Sequence, residues 1–258
     1  MFSDLDGSLL DHDTYDWQPA RPALEALKHR DIPLVLVSSK TLAELEEYSQ
    51  QLDLQCPVVA ENGAVTHFPV DYFPATTTLS TATLTRAQLQ TLYEEVKLAR
   101  SFKCKAFYEL GVSGIVRETG LTERQAARAN EREASEPILW LDSDDRAVQF
   151  EKEMMARGLR CIMGGRFLHL MGATDKGAAV RLLMNAYSSK WPDKILMSVS
   201  LGDGPNDLSM LASTDIAVVI PGKHKHRMTL STRNRVLKPP SPGPVGWNEA
   251  VLQILAKH

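Results

Sequence analysis

The first sixty residues alternate short apolar runs with amphipathic helical patterns, and this alternation restricts the fold more than any other feature. Apolar runs at 32–37 and 57–60 flank a helical pattern at 41–52, and another helical pattern precedes them at 19–30. A strand–helix–strand rhythm of this kind predicts a parallel sheet with helices on both faces. Only three residues precede Asp4, so the first strand is expected to be short and to anchor Asp4 weakly.

A second α/β unit is predicted in the middle of the chain. The periodicity lapses into Thr, Ser and Pro at 71–84, as expected of a linker, and new helical and strand-like patterns follow up to residue 171. The earlier rhythm then resumes. We therefore predict a Rossmann-like core formed by 1–83 and 172–258, with an inserted α/β cap domain at 84–171.

Two carboxylates, Asp4 and Asp6, lie one residue apart at the end of the first predicted strand. Alternate side chains of a strand project from the same face, so these two are expected to point the same way. Like charges this close repel, and both stay ionised only when a cation lies between them. Gly7 lets the chain turn, and the exposed amides of such a turn suit a phosphate. An ordinary Asp- and Gly-rich surface turn is the alternative.

Three later stretches favour a phosphate site over a surface turn. Ser38 and Lys40 follow a buried apolar run, Lys176 begins a helical pattern, and another apolar run leads to three polar residues, Asp203, Asn206 and Asp207. Open α/β sheets bind ligands at the carboxyl ends of their strands, so these groups are expected to meet at one edge. Together they supply the carboxylates, cation and hydroxyl that phosphoryl transfer needs.

Four stretches resemble, in order, the four motifs of the haloacid dehalogenase (HAD) superfamily: Asp4-x-Asp6-Gly7-Ser8, Ser38, Lys176 and Gly202-Asp203-x-x-Asn206-Asp207. A further stretch at 61–64 resembles one found in the capped branch of that superfamily. The chain is similar to the Cof-like subclass IIB, whose members are phosphatases with an inserted cap of the C2B type. The resemblance implies a magnesium-dependent phosphatase that forms an aspartyl-phosphate intermediate.

The resemblance also implies a role for each matched residue. Asp4 is the nucleophile, and Asp6 is the general acid and then the general base. Mg²⁺ is held by the Asp4 carboxylate, the Asp6 backbone carbonyl and the Asp203 carboxylate. Asp207 is either a further ligand or a residue that supports the ligands without contacting the ion. The phosphate is bound by four polar side chains: Ser38, Lys176, Asn206 and Lys40. For Lys40, the alternative is a surface cation that does not contact the phosphate.

Longer strings narrow the resemblance to the mannosyl-3-phosphoglycerate phosphatase family. They lie at 15–17, 38–41, 132–137, 164–169 and 242–247. This narrower resemblance implies a small phosphorylated sugar as partner, 2-O-mannosyl-3-phosphoglycerate, which would be hydrolysed to mannosylglycerate and phosphate.

Three residues of the predicted cap are candidates for binding the rest of such a substrate. Arg166 suits its carboxylate, because a guanidinium binds carboxylates through two hydrogen bonds. Glu133 and Glu136 suit the sugar hydroxyls, with a solvated helix end as the alternative for both glutamates.

Rival functions remain open at this stage. Another capped phosphatase acting on sucrose, trehalose or hexose phosphates would carry the same motifs, and so would a phosphomutase that passes its phosphoryl group to a sugar. From another class, the chain could be a sugar-phosphate binding module with a vestigial site.

Composition excludes several other classes. The net charge of −3 gives no reason to expect binding to nucleic acid or to an anionic membrane, and no apolar run is long enough to cross a bilayer. Three scattered cysteines argue against a disulfide framework and for a reducing compartment, so a cytoplasmic location is predicted. The histidines and cysteines show no zinc-binding spacing. The sequence contains no signal for a particular oligomeric state.

Overall fold

The structure is a computed structural model, and it describes residues 1–74, 84–164, 166–222, 230 and 235–257. The described strands are Phe2–Ser3 (β1), Val35–Val37 (β2), Val58–Ala60 (β3), Val65–His67 (β4), Cys104–Ala106 (β5), Ser135–Trp140 (β6), Arg160–Gly164 (β7), Phe167–Met171 (β8), Val199–Gly202 (β9), Ile216–Val219 (β10) and Arg235–Leu237 (β11). The described α-helices are Arg21–His29 (α1), Leu42–Gln51 (α2), Arg86–Arg100 (α3), Phe107–Thr119 (α4), Glu123–Asn130 (α5), Asp144–Met155 (α6), Lys176–Lys190 (α7), Leu208–Leu211 (α8) and Gly243–Leu255 (α9).

The larger sheet has seven strands in the order β11-β10-β9-β1-β2-β3-β4. All neighbouring pairs are parallel except β3 and β4, which are antiparallel. The α/β class with a parallel-dominated sheet is therefore confirmed, with one antiparallel edge strand added.

Helices cover both faces of this sheet. Along β2, Leu36 packs into the cluster that contains Trp247 of α9, whereas Val35 and Val37 pack into the cluster that contains Leu183 of α7. Successive strand residues point to opposite faces, and here both faces are buried. This explains why the strand sequences are continuously apolar rather than alternating.

The first strand is as short as predicted but lies at the centre of the sheet. Phe2 pairs with Val35 on one side and with Ser200 on the other, and the Asp4 amide donates to the Leu201 carbonyl at 2.9 Å. Neighbours on both sides thus compensate for its length, and Asp4 is buried.

The smaller sheet contains β5, β6, β8 and β7 in that order, and all of its neighbouring pairs are antiparallel. Leu168 and Leu170 of β8 pack with Tyr93 of α3 and Phe150 of α6 to form a separate apolar core. We call the elements from α3 to β8 the cap. The division of domains at 84 and 171 stays a prediction, and residue 83 lies outside the described residues.

Some elements differ from their predicted form. Strand β5 and helix α4 were not predicted, since β5 has only three residues and α4 is interrupted by Gly111, whose φ is +60°. Helix α5 ends at Asn130 instead of Glu133. Among the described helices, none is long and apolar enough to span a membrane.

Candidate active site

The predicted site residues meet at the carboxyl ends of the central strands. Asp4 follows β1, Ser38 follows β2 and Asp203 follows β9, and these three strands are neighbours. Lys176 is the first residue of α7, whose amino end is capped by Asp175 through its hydrogen bond from the Ala178 amide.

Lys176 is the centre of the cluster. Its side chain is completely buried, and its Nζ lies 2.7 Å from Oδ1 of Asp4 and 2.7 Å from Oδ1 of Asp207. Burial alone would lower the pKa of Lys176, but the Asp207 and Asp4 carboxylates outweigh it and raise the pKa above its ordinary value. The lysine therefore carries a permanent positive charge directly beside Asp4.

Asp207 is held from several directions. Its Oδ1 accepts from Lys176, and its Oδ2 accepts from the backbone amides of Asp203 at 3.1 Å and Gly204 at 2.9 Å. The side chain has no exposed surface. With both oxygens engaged, Asp207 positions Lys176 and the 203–204 turn.

Three carboxylates lie close enough to share a cation: Asp4, Asp203 and Asp207 each offer an oxygen within 4.8 Å of the others. Burial and the Asp207 charge raise the pKa of Asp4 well above its ordinary value, against the lowering effect of Lys176. Burial and Asp207 also raise the pKa of Asp203, to about 7. One lysine does not neutralise three carboxylates, of which two are buried and that of Asp203 is partly buried, so this all-oxygen donor set fits a hard divalent cation.

Asp6 pairs with Lys40. The Lys40 Nζ lies 3.0 Å from Oδ2 of Asp6, while Oδ1 of Asp6 is buried and has no hydrogen-bond partner among the described residues. Asp6 and Glu44 together raise the pKa of Lys40 despite its burial, which acts in the opposite direction. One Asp6 oxygen is thus fixed and the other is free. The ligand role of the Asp6 carbonyl stays a prediction.

Ser38 and Asn206 are connected through Asn62. The backbone amide of Asn62 donates to the Ser38 carbonyl at 2.8 Å, and the side-chain Nδ2 of Asn206 donates to Oδ1 of Asn62 at 3.3 Å. Ser38 is buried, and its Oγ accepts from the Lys40 amide at 3.3 Å. These contacts hold the loops after β2, β3 and β9 together, but they do not test the predicted phosphate-binding roles.

The three predicted substrate residues of the cap have different surroundings. Glu136 is buried and accepts from Nε of Arg86 at 2.7 Å and from Gln90 at 2.9 Å, so it forms an ion pair inside the cap. Glu133 is exposed. Arg166 is exposed and donates to the Glu118 carbonyl at the end of α4. Its neighbour Gly165 lies outside the described residues.

Sequence reasoning missed Glu61, which joins the cap to the large-sheet unit. Glu61 is fully buried and accepts from the amides of Glu133 at 2.8 Å and Ala134 at 3.2 Å, and from Oγ of Ser135 at 2.6 Å. Arg132 extends this joint, because its Nη1 donates to the Ser39 carbonyl at 3.2 Å. The resemblance at 61–64 marked the stretch without indicating this contact.

The turn that contains Glu61 also touches α7. Glu61 and Asn62 both have left-handed backbones, with φ of +52° and +56°, and Gly63 follows with φ of +101°. A Cβ at Gly63 would lie 2.3 Å from the Asp175 carbonyl, so only glycine fits there. The turn therefore packs directly against the amino end of the helix that begins with Lys176.

A sequence profile of the haloacid dehalogenase-like hydrolases matches residues 1–227. The chain belongs to the haloacid dehalogenase-like hydrolase family. A protein of Methanococcoides burtonii named glucosyl-3-phosphoglycerate/mannosyl-3-phosphoglycerate phosphatase is 35% identical to this chain over 271 residues, covering 100% of this chain and 97% of the relative.

Solved structures share the fold of this chain over almost its whole length. SMU.1108c from Streptococcus mutans UA159 superposes with a TM-score of 0.71 at 17% identity, over 99% of this chain and 98% of that one. The HAD subclass IIB sugar phosphatase BT4131 gives a TM-score of 0.67 at 14% identity, over 98% and 97%. The predictions of a HAD-type fold and of a phosphatase of this family are confirmed.

Proposed function

We propose that this chain is a magnesium-dependent phosphatase that hydrolyses 2-O-mannosyl-3-phosphoglycerate to mannosylglycerate and phosphate. The observation that carries this proposal is the 35% identity, over the full chain, to a relative whose name includes that substrate. The same name includes glucosyl-3-phosphoglycerate, so the glucosyl analogue is the second candidate. Both are small phosphorylated sugars that also carry a carboxylate.

Asp4 is the proposed nucleophile. Its carboxylate attacks phosphorus, the bond from phosphorus to the substrate oxygen breaks, and water then opens the aspartyl phosphate. The 2.7 Å contact between Asp4 and Lys176 supports this role, because the ammonium lies where it can stabilise charge on the phosphoryl oxygens. Asp207 keeps that ammonium in place from the other side.

Asp6 is the proposed general acid and base. It protonates the departing glycerate oxygen, from which the phosphoryl group is cleaved, and then takes a proton from the attacking water. Its Oδ1 supports this assignment, since that oxygen has no partner among the described residues and so is not held by another group. Lys40 holds the other oxygen, and we therefore assign Lys40 the positioning of Asp6 rather than direct phosphate binding.

The proposed magnesium ligands are the Asp4 carboxylate, the Asp6 backbone carbonyl and the Asp203 carboxylate. Asp207 supports them through its bonds to Lys176 and to the Asp203 and Gly204 amides. The close approach of the three carboxylates supports it. When bound, Mg²⁺ would neutralise the nucleophile and the phosphate so that two anions can approach each other.

Ser38, Lys176 and Asn206 are the proposed phosphate-binding groups, and the cap selects the sugar. Division into a core of 1–83 and 172–258 and a cap of 84–171 is part of this proposal, as is a cytoplasmic location.

Arg166 and Glu133 remain candidates for substrate contact because both are exposed. The ion-paired and buried Glu136 is better explained as a structural residue of the cap.

The experiment is a comparison of phosphate release across a panel of substrates with Mg²⁺ present. The panel contains mannosyl- and glucosyl-3-phosphoglycerate, sucrose and trehalose phosphates and hexose phosphates, with an Asp4→Asn variant as control. We expect the highest kcat/KM for the two phosphoglycerates, with no requirement for a bisphosphate. Equal kcat/KM values for simple hexose phosphates would contradict the substrate assignment. Phosphate binding without release would support a vestigial site.

A further inference from the structure

His169 lies on the face of the cap sheet that points toward the large sheet. Its neighbours along β8, Leu168 and Leu170, pack into the cap's own core, so His169 projects from the opposite face. On that opposite face, Met171 packs with Ala64 of the large-sheet unit. Ile162, which pairs with His169 across β7 and β8, joins the same contact.

The imidazole is buried but incompletely bonded. His169 is 6% exposed, and its Nδ1 has no hydrogen-bond partner among the described residues. Buried polar atoms nearly always have a partner, so an exception of this kind requires an explanation. A polar group of the bound substrate would supply the missing partner.

Two positive charges act on His169. Its charged neighbours are Arg132, which reaches the loop after β2, and Lys176, which contacts Asp4. Burial, followed by these two positive charges, lowers the pKa of His169 to about 3, so the ring is neutral at neutral pH. A neutral imidazole has one donor and one acceptor nitrogen.

Gly164 provides the space that the ring occupies. A Cβ at Gly164 would lie 3.0 Å from Cδ2 and Nε2 of His169, which is tighter than an ordinary contact. A larger residue at this position would push the ring, and the backbone of β7 therefore fixes one edge of the imidazole.

We propose that His169 contacts the substrate and hydrogen-bonds a hydroxyl of its sugar-side leaving group through Nδ1. A hydroxyl is the matching chemistry because it can both donate and accept, and so it pairs with Nδ1 in either tautomer of the ring. This inference rests on the proposed function and extends it by naming a residue that reads the part of the substrate beyond the phosphate. It also explains why a buried nitrogen lacks a partner among the residues that the structure describes.

The test compares His169→Phe with the parent enzyme on two substrates. Mannosyl-3-phosphoglycerate carries hydroxyls on its leaving group, whereas p-nitrophenyl phosphate carries none but needs the same chemistry at Asp4. We expect kcat/KM for the sugar substrate to fall by about 10-fold or more, the range for loss of one buried hydrogen bond, with a change below about 3-fold for p-nitrophenyl phosphate. His169→Gln retains a side chain that can hydrogen-bond and should recover part of the loss.

Controls separate this role from a structural one. His67→Phe replaces an exposed histidine on β4 and should leave both substrates unaffected. Equal losses on the two substrates, or no loss on either, would overturn the proposal. A Gly164→Ala variant, which displaces the ring, should reproduce the selective loss in smaller degree.

A binding measurement distinguishes failure of this inference from failure of the proposed function. Calorimetric titration of mannosyl-3-phosphoglycerate into Asp4→Asn enzyme gives a Kd without turnover, and the same titration is repeated with His169→Phe added. A Kd raised by about 10-fold supports the contact, even if the parent enzyme hydrolyses the ligand poorly. An unchanged Kd refutes the contact alone, whereas no binding to either protein contradicts the proposed substrate and the contact with it.

Discussion

Glu61 and Ser135 are joined by a hydrogen bond of 2.6 Å that connects the turn after β3 to the first residue of β6. The same carboxylate accepts from two consecutive cap amides, so one buried side chain satisfies three cap donors. A buried charge with this many donors is stable only while all of them stay in place. Glu61 is therefore one of the residues that fix the approach of the cap to the large sheet, together with Arg132 and its bond to the Ser39 carbonyl.

Replacing Glu61 by Gln should loosen the cap. The new amide nitrogen would face N–H donors, and the loss of hydrogen bonds should lower the free energy of unfolding by about 1–3 kcal/mol. Urea unfolding and kcat/KM on the sugar substrate would measure the effect. Glu131→Gln, on an exposed cap residue, is the matched control and should behave like the parent. A stability equal to that of the parent would argue against the joint.

Replacing Lys176 by Met should remove most of the activity. The loss of one preorganised charge at the phosphoryl group corresponds to a fall in kcat of about 10²-fold to 10³-fold. The Asp4 and Asp207 carboxylates would also lose their buried partner, so the protein should be less stable at pH 7. Lys152→Met alters an exposed lysine of α6 and provides the comparison. Phosphate release within a few-fold of the parent would contradict the role of Lys176.

Removal of metal should stop phosphate release, and addition of Mg²⁺ should restore it. A readout independent of activity is the Tm, which should rise with Mg²⁺ because ligand binding stabilises the folded state. Asp203→Asn should abolish most of that rise, since it removes one of the three clustered carboxylates. A Tm that responds to Mg²⁺ equally in the parent and the variant would place the ion elsewhere.

Asp6→Asn should affect substrates according to their leaving groups. General acid catalysis contributes about 10²-fold to 10⁴-fold, and it matters most when the departing oxygen is a poor leaving group. The fall in kcat/KM, which reports the step that releases the leaving group, should therefore be large for a sugar phosphate and much smaller for p-nitrophenyl phosphate. Similar losses on both would show that Asp6 does not protonate the leaving group.

Stability should fall with acid in part because of His169. Burial lowers its pKa in the folded protein from 6.5 to about 3, so between these values the unfolded chain binds a proton that the folded chain does not. The His169 contribution is fully present above pH 6.5 and is lost by about 1.4 kcal/mol per pH unit as the pH falls toward 3.

The corresponding measurement is urea unfolding at pH 7, 6 and 5. His169→Gln cannot take up this proton, so its unfolding free energy should decline less steeply than that of the parent. His67→Gln, at an exposed position, should follow the parent curve. Parallel curves for the parent and His169→Gln would contradict a buried neutral imidazole.

The large sheet and the meeting of its polar residues could be predicted because they depend on local patterns. The apolar runs identify the strands, and the polar residues after them share an edge whatever the details of packing. Capping could be predicted as well: Thr122 and Gln125 form the expected capping box of α5, and Thr41 caps α2.

Other features depend on contacts that local patterns do not encode. Lys40 pairs with Asp6 because the loops after β1 and β2 lie side by side, and only the fold reveals that proximity. Glu61 reaches the cap across 74 residues of sequence, and nothing in its neighbourhood marks it as buried. His169 reads in sequence as one apolar-flanked residue among several histidines, and its incomplete bonding becomes visible only in three dimensions.

The turn at 61–63 has a consequence for protein engineering. It holds the cap through Glu61 and simultaneously seats the start of α7 through the close approach of Gly63 to Asp175. A chimera that grafts a foreign lid onto this scaffold would have to bring donors matched to Glu61. With mismatched donors, the graft would disturb the seating of Lys176 along with its own attachment, so new substrate ranges and intact chemistry would have to be engineered together.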